Sequence, residues 1–253
     1  MRYARKMART DFNTPRLCVT DALAGGARLA LTPEAANYLV NVLRLGQGAR
    51  VLVFNGHDGE WAARLDTQNR KRIALALDER TRPQETPPDV EYLFAPLKHA
   101  RLDYMAQKSV EMGARRLAPV ITRRTQAARV NLERLTANAR EACEQCGVIW
   151  IPEVAQPQPL ETALKNHPAE RLLVFCDEDA PLANPVQALA AAPTAQGVSL
   201  LIGPEGGFDE TERAMILKSP RLLRLNLGPR ILRADTAAVA GLTLLQAHFG
   251  DWR

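Results

Sequence analysis

Cysteine is scarce in this chain: Cys18, Cys143, Cys146 and Cys176 are the only four in 253 residues. They are too few and too irregularly spaced to frame a disulfide-stapled secreted domain, so reduced thiols are expected. Histidine is equally sparse, with His57, His99, His167 and His248 scattered singly. The Cys143-x-x-Cys146 pair falls late in an expected helix with no second Cys or His pair at ligand spacing, so no metal is expected. Aromatic residues make up 5% of the chain, which leaves few flat faces for stacking against bases. No apolar run approaches the roughly 18 residues of a membrane span. The basic opening, with Arg2, Arg5, Lys6 and Arg9, is not followed by the apolar segment of a signal peptide, and the expected location is the cytoplasm. The phosphate-binding pattern G-x-x-x-x-G-K-[ST] is missing, and Gly46-Gln47-Gly48 follows a helix rather than a strand, so it fails as a dinucleotide fingerprint. Internal repeats and low-complexity tracts are absent as well.

What is present is an ordinary globular composition, 46% hydrophobic and 24% charged, with a net charge of +5. The charge is unevenly spread. Seven arginines against the single acid Glu133 leave 115–140 at +6, more than the whole chain carries. Arginine's planar fork suits phosphate and stacked bases, so a polyanionic partner is expected, a solvated charged face being the structural alternative.

A chain of this length is near the upper limit for one core, and a two-domain split is the better expectation. The boundary falls at 81–89, where three prolines and scattered charge remove apolar periodicity. Before it, residues 1–80 read as a small β-rich module. Thr32-Pro33 opens a helix running to about Arg44, and short strands follow at 49–54, 60–65 and 72–77. After it, 90–253 alternates apolar strands with amphipathic helices, the rhythm of a largely parallel α/β sheet. Strands are expected at 90–95, 116–121, 171–176, 198–202 and 221–225, and helices at 98–112, 131–146, 184–191, 209–218 and 235–248. Gly113 is placed as a helix-ending glycine, and Asp209 with Glu212 as a reciprocal cap.

Two irregular turns stand at strand ends, where open α/β sheets bind their ligands. The first is S-L-L-I-G-P-E-G-G-F at 199–208, whose glycines let backbone approach a ligand closely. The second is L-N-L-G-P-R-I-L-R-A-D-T at 225–236, carrying Arg230, Arg233 and Asp235. Together they could enclose a small ligand.

The pair L-I-G-P-E-G-G-F and L-G-P-R-I-L-R-x-[DE]-T resembles the knotted SPOUT class of methyltransferases and, within it, the RsmE family. The likeness extends to N-V-L-R at 41–44, Q-K-S-V-E-M-G at 107–113, E-A-C-E-Q-C-G at 141–147 and F-G-D at 249–251. It implies an N-terminal PUA-like β-barrel for RNA binding and, joined by the linker, a C-terminal SPOUT-like domain with a trefoil knot. It also implies a homodimer that methylates N3 of a uridine in small-subunit (16S) ribosomal RNA with S-adenosyl-L-methionine. On the resemblance, cofactor contacts fall on three loops: Phe175 and Glu178; Ile202, Gly203, Pro204, Glu205, Gly206 and Gly207; and Leu225, Leu227, Gly228, Ile231 and Leu232. The chain departs from the family pattern where Val148-Ile149-Trp150 stands in place of a segment opening on arginine, and where Ala234-Asp235 replaces Thr-Glu.

Moving a methyl group to a uracil imide nitrogen requires a proton acceptor and positive charge near O2 or O4. Arg233 is assigned the charge and Asp235 the proton or the orientation of an arginine, with Glu205 facing the substrate. The structural alternatives are a helix-terminal carboxylate for Glu205, an ion pair with Asp235 or Glu205 for Arg233, and an N-cap for Asp235. Arg44, Lys108, Arg123, Arg124 and Arg129 are the RNA-contact candidates. Two rival functions remain: a knotted methyltransferase acting on a ribose 2'-OH or a tRNA base, and a catalytically silent RNA-binding protein.

Overall fold

The computed structural model describes residues 11–69, 72–127, 129–181 and 184–252, the side chain of His99 excepted; the basic opening with Arg2, Arg5, Lys6 and Arg9 lies outside them. The chain forms two compact units, one of residues up to Thr86 together with Cys143–Ile151, the other of Pro87–Ala142 and Pro152 onward.

In the first unit, β1 (Arg16–Cys18), β2 (Arg28–Ala30), β3 (Arg50–Phe54), β4 (Glu60–Asp66) and β5 (Ala74–Arg82) form one sheet in the order β1-β3-β4-β5-β2. Neighbours are antiparallel except β1 with β3. Alternate side chains, among them Leu29, Val51, Val53, Ala63, Leu65 and Leu75, make the core. Register shifts around Trp61 bend the β4–β5 ladder and let the sheet curl over that core. β5 runs further than expected, into the proline-bearing stretch. The Thr81 hydroxyl donates to the main-chain oxygen and the carboxylate of Glu60 (3.0 and 2.9 Å), and Glu60 also takes Arg16 in a buried ion pair at 2.8 Å. α1 (Pro33–Asn37) starts as expected, with the Thr32 hydroxyl accepting the Ala35 N–H at 3.3 Å and proline in the first turn. It does not reach Arg44 as an α-helix. Tyr38–Val42 widen into a π-helical turn closed by Leu43 N–H to Tyr38 C=O, and Arg44 takes a left-handed φ of 55°.

The second unit holds β6 (Val90–Phe94), β7 (Arg116–Ile121), β8 (Glu153–Val154), β9 (Gln158–Pro159), β10 (Leu172–Cys176), β11 (Val198–Ile202) and β12 (Leu222–Leu225). Their order is β12-β10-β11-β6-β7-β8, with β9 pairing β7, and every pair is parallel. Near-continuous apolar strands such as Val198–Ile202, buried throughout, are what a sheet covered on both faces requires. The helices are α2 (His99–Glu111), α3 (Leu132–Cys146), α4 (Leu160–Lys165), α5 (Pro185–Ala190), α6 (Glu210–Ile216) and α7 (Ala234–Phe249), the last turn of α3 counting with the first unit. Leu93, Val120, Leu173, Phe175 and Leu201 meet Ile216 of α6 on one side of the sheet. Gly113, at φ +75°, ends α2 where a glycine was expected.

Strand order departs from chain order in one telling way. β12 comes last yet lies at the edge beside β10, while α7, which follows it, returns to pack on β11 and β6 at the centre of the sheet. Residues 226–233 therefore travel across the carboxyl ends of the strands.

Candidate active site at the carboxyl edge of the parallel sheet

β12, β10 and β11 are neighbours in that order and all run the same way, so the loops that follow them open on one edge of the sheet. Those loops, with the last residues of the strands that feed them, contain all three groups of expected cofactor residues. The side chains of Phe175, Ile202 and Leu225 are buried in the core, so a ligand at this edge meets the main chain of these positions. Glu178 is exposed, as is Glu205.

The glycine turn is shaped by its neighbours. Gly207 N–H donates to Pro204 C=O at 2.9 Å. A Cβ on Gly203 would stand 2.7 Å from the Phe208 ring, which itself packs edge-on against Phe175 with centroids 5.5 Å apart, so a side chain there would have to displace that ring. Behind the turn, α6 begins with the reciprocal cap: Asp209 accepts the Glu212 N–H at 2.8 Å and Glu212 accepts the Asp209 N–H at 3.1 Å. The backbone bond from Glu212 is the first of several that hold the Asp209 carboxyl below its ordinary range. The buried Glu212 carboxylate also accepts the Arg123 N–H at 2.7 Å, joining the turn after β7 to α6.

In the third loop Asn226 is buried. Its amide donates to the Glu178 and Ala180 carbonyls at 3.2 and 3.1 Å, and its oxygen accepts the Gly228 N–H at 2.8 Å. Beneath it, Asp177 accepts from Arg213 at 2.5 and 3.0 Å and from Arg224 at 2.6 Å. Burial pushes the Asp177 carboxyl up, but the two guanidiniums outweigh it and leave the group below its ordinary range. Among the described residues, the main-chain N–H groups of Glu205, Gly206, Leu227, Ile231 and Leu232 find no hydrogen-bond partner. Ile231 is 94% exposed, an apolar side chain standing in the open between Arg230 and Arg233. Unpaired donors, glycine-lined backbone and bare apolar surface at one strand edge suit an adenosyl group, which needs main-chain partners for its base and a dry face for its rings.

The three expected catalytic residues sit differently from one another. Arg233 is the N-cap residue of α7, exposed and without a side-chain cap bond; among the described residues it pairs with neither Asp235 nor Glu205. Asp235 is therefore not the N-cap. It lies in the first turn, its Oδ1 accepting the Thr236 N–H at 2.9 Å. It also lies close enough to the buried Tyr92 hydroxyl to join burial and Cys176 in holding that phenol well above its ordinary range. Glu205 meets Arg101 of α2 at 3.4 Å. No hydrogen bond brings Glu205 together with Arg233 or Asp235 among the described residues.

The RNA candidates are dispersed. Arg44 and Arg129 are exposed. Lys108 pairs with Glu111 at 2.6 Å and lies over the Tyr104 ring at 5.6 Å. Arg123 reaches Asp209 at 2.7 Å, and Arg124 donates to the Gly206 carbonyl at 2.7 Å, so both touch the glycine turn and its helix. Sequence reasoning missed this link and the arginine pair around Asp177. The one signal for the latter was the acidic run Asp177-Glu178-Asp179 directly after a buried strand. The Cys143 thiol is pushed well above its ordinary range, by burial above all, and no cluster able to hold a metal ion occurs among the described residues.

Comparison with known proteins finds two matching families along the chain. Residues 84–246 match the family described as RNA methyltransferase domain, and 31–77 that described as RNA methyltransferase PUA domain. The ribosomal RNA small subunit methyltransferase E of Rickettsia conorii is 27% identical, over 92% of this chain and 96% of its own. The solved structure of ribosomal RNA small subunit methyltransferase E from Neisseria gonorrhoeae bound to S-adenosyl methionine superposes with a TM-score of 0.84 at 27% identity, covering 95% of this chain and 100% of that one. A methyltransferase from Legionella pneumophila in complex with the bound cofactor SAM gives a TM-score of 0.79 at 30% identity, covering 92% of this chain and 97% of that one. With a domain match over more than half of its length and full-length relatives on either side, the chain belongs to the RsmE family of RNA methyltransferases.

Proposed function

We propose that this protein methylates N3 of a uridine in small-subunit ribosomal RNA, with S-adenosylmethionine as donor. The observation that carries the reading is the convergence of three loops on one strand edge, two of them with unpaired main-chain donors, in a chain whose solved relatives hold that cofactor. Main-chain groups of 203–207 and 227–232 would hold the adenosyl part, with Ile231 against its apolar face. Bound there, the cofactor supplies a methyl group made electrophilic by its sulfonium.

The chain's own task is to prepare the nitrogen. Uracil N3 becomes nucleophilic only as its proton leaves, and negative character then gathers on O2 and O4. Arg233, exposed and without a partner among the described residues, supplies positive charge to those oxygens. Asp235 has Oδ1 held by Thr236, which fixes the carboxylate while Oδ2, without a partner among the described residues, takes the proton. Glu205, steadied by Arg101, borders the substrate. Holding two reactants in register contributes much of the acceleration.

Arg44 on the PUA unit, and Lys108, Arg123, Arg124 and Arg129 on the other, are the residues assigned to RNA phosphates. Three further features belong to this reading. A trefoil knot is supported by the return of α7 to the sheet centre from an edge strand. A homodimer is supported by α7, which over sixteen residues carries only Asp235 and His248 as ionisable groups while Val239, Thr243 and Leu244 stay half-buried. Residence in the cytoplasm follows from the substrate, and no described helix is long and apolar enough to cross a membrane.

Incubation of the protein with small-subunit RNA and methyl-labelled S-adenosylmethionine, followed by nucleoside mass spectrometry, tests the assignment. Label is expected in 3-methyluridine. Label in a ribose 2'-O-methyl group or a tRNA base would move the enzyme to another substrate, and failure to bind the cofactor in calorimetry would leave an RNA-binding protein.

A further inference from the structure

We propose that Asp177 is a positioning residue of the cofactor site, a single carboxylate that sets the spacing between all three loops at the strand edge. The inference rests on reading that edge as the S-adenosylmethionine site. Asp177 directly follows β10, and its side chain is 1% exposed. It accepts four hydrogen bonds: Arg213 Nη1 and Nη2 at 2.5 and 3.0 Å, Arg224 Nε at 2.6 Å, and the Asp179 N–H at 3.1 Å.

The origin of these donors is what gives the arrangement meaning. Arg213 belongs to α6, the helix that grows out of the glycine turn, and its guanidinium also lies 5.9 Å from the centroid of Phe175. Arg224 belongs to β12, the strand that feeds the third loop. The same arginine donates through Nη2 to the Asp179 carbonyl at 2.8 Å, and Asp177 N–H donates to the Leu225 carbonyl at 3.0 Å. Each tie therefore ends beside one of the loops, and the two arginines meet at the carboxylate. A carboxylate with two guanidiniums is a poor choice if stability alone is served, since desolvating three charges costs much of what their attraction returns. Its use is geometric: a bidentate fork from one side and a second guanidinium from the other fix direction as well as distance. Because Asp177 is buried and its oxygens are occupied, it acts through the loops and does not touch the substrate.

Calorimetric titration of the full chain with S-adenosylmethionine, alongside RNA binding and thermal unfolding without cofactor, tests this. Asp177→Asn keeps the shape and removes the charge. Its dissociation constant for S-adenosylmethionine is expected to rise by roughly tenfold or more, as when a buried charge loses its partner, with RNA affinity changed by less than about twofold. Arg224→Lys retains charge but has one nitrogen to serve both Asp177 and Asp179, so it should weaken cofactor binding severalfold while melting close to the wild type. If the wild type itself fails to bind S-adenosylmethionine, the reading of the site falls and this inference with it. If the wild type binds and Arg224→Lys binds equally well, the positioning role is overturned, whether Asp177→Asn folds or not. Folded Asp177→Asn with wild-type cofactor affinity overturns it too.

Discussion

Glu212 offers the sharpest test of how the glycine turn is held. The side chain is buried at the start of α6, with one oxygen accepting the Arg123 N–H at 2.7 Å and the other the Asp209 N–H at 3.1 Å. Glu212→Ala strands both donors where water reaches them poorly, and each partly buried N–H left unpaired costs about 1–3 kcal/mol. Loss of half the reciprocal cap is already contained in the Asp209 bond, so the sum is about 2–6 kcal/mol. In a domain of this size each kcal/mol shifts the thermal midpoint by about 2–4 °C, which places the expected fall at roughly 4–24 °C. Glu212→Gln keeps one acceptor oxygen and turns an amide N–H toward the other donor, so it should fall between the wild type and the alanine variant. Thermal unfolding of the full chain followed by circular dichroism reads both. A Glu212→Ala midpoint within about 2 °C of the wild type would refute the reasoning, because two partly buried donors cannot lose their acceptor at so small a cost. A glutamine variant less stable than the alanine variant would refute it equally.

Arg233→Ala should lower single-turnover methylation by about a hundredfold, the loss typical of a removed electrostatic stabiliser, while filter-binding affinity for RNA stays within about twofold; undiminished turnover would remove Arg233 from the chemistry. RNA affinity should drop by roughly a thousandfold between about 50 and 200 mM salt if some six phosphates are contacted, and a flat response would argue against phosphate-led binding. Asp177 and Asp209 have carboxyls held below their ordinary range, by arginines that outweigh burial at Asp177 and by the Glu212 N–H foremost at Asp209. Their stabilisation is thus fully present above the unfolded carboxylate value of about 4 and lost as pH falls through the lower folded values. Thermal midpoints measured against pH should be level from about 7 to 5 and fall below about 4; midpoints that rise on acidification would contradict the sign.

Much of this architecture was legible because strong local signals agreed with the final fold. β6, β7 and β11 lie within a residue of where apolar runs put them, Asp209 and Glu212 cap α6 reciprocally as their spacing implies, and the glycine turn does follow a buried strand. What escaped has a common cause in contacts distant along the chain. The three-residue strands β1 and β2 are too short to show alternation and exist because β3 and β5 offer them partners. β5 continues through Thr81 because Glu60, far back in the chain, receives its hydroxyl. The π-helical turn at Tyr38–Val42 leaves no mark on the apolar spacing of that helix. Segment 143–151 looks like the end of one helix plus a loop, yet Glu144 accepts the Cys18 N–H at 2.8 Å and Gly147 accepts from Arg82 at 2.8 Å, which places it with the first unit. At the site, Arg233 and Asp235 were visible as residue types, but Asp177 was not, since its partners stand 36 and 47 positions away.

The position of α7 bears on how the chain is made. The helix covers β11 and β6, the two middle strands, yet is synthesised after all seven strands of its sheet. A ribosome-bound intermediate ending near β12 would carry the greasy centre of its sheet bare to water, a state in which nascent domains aggregate or recruit chaperones. Folding of this unit is thus obliged to finish late, on release of the helix. A chain halted before Ala234 would lack the cover for its central strands however well the rest had formed.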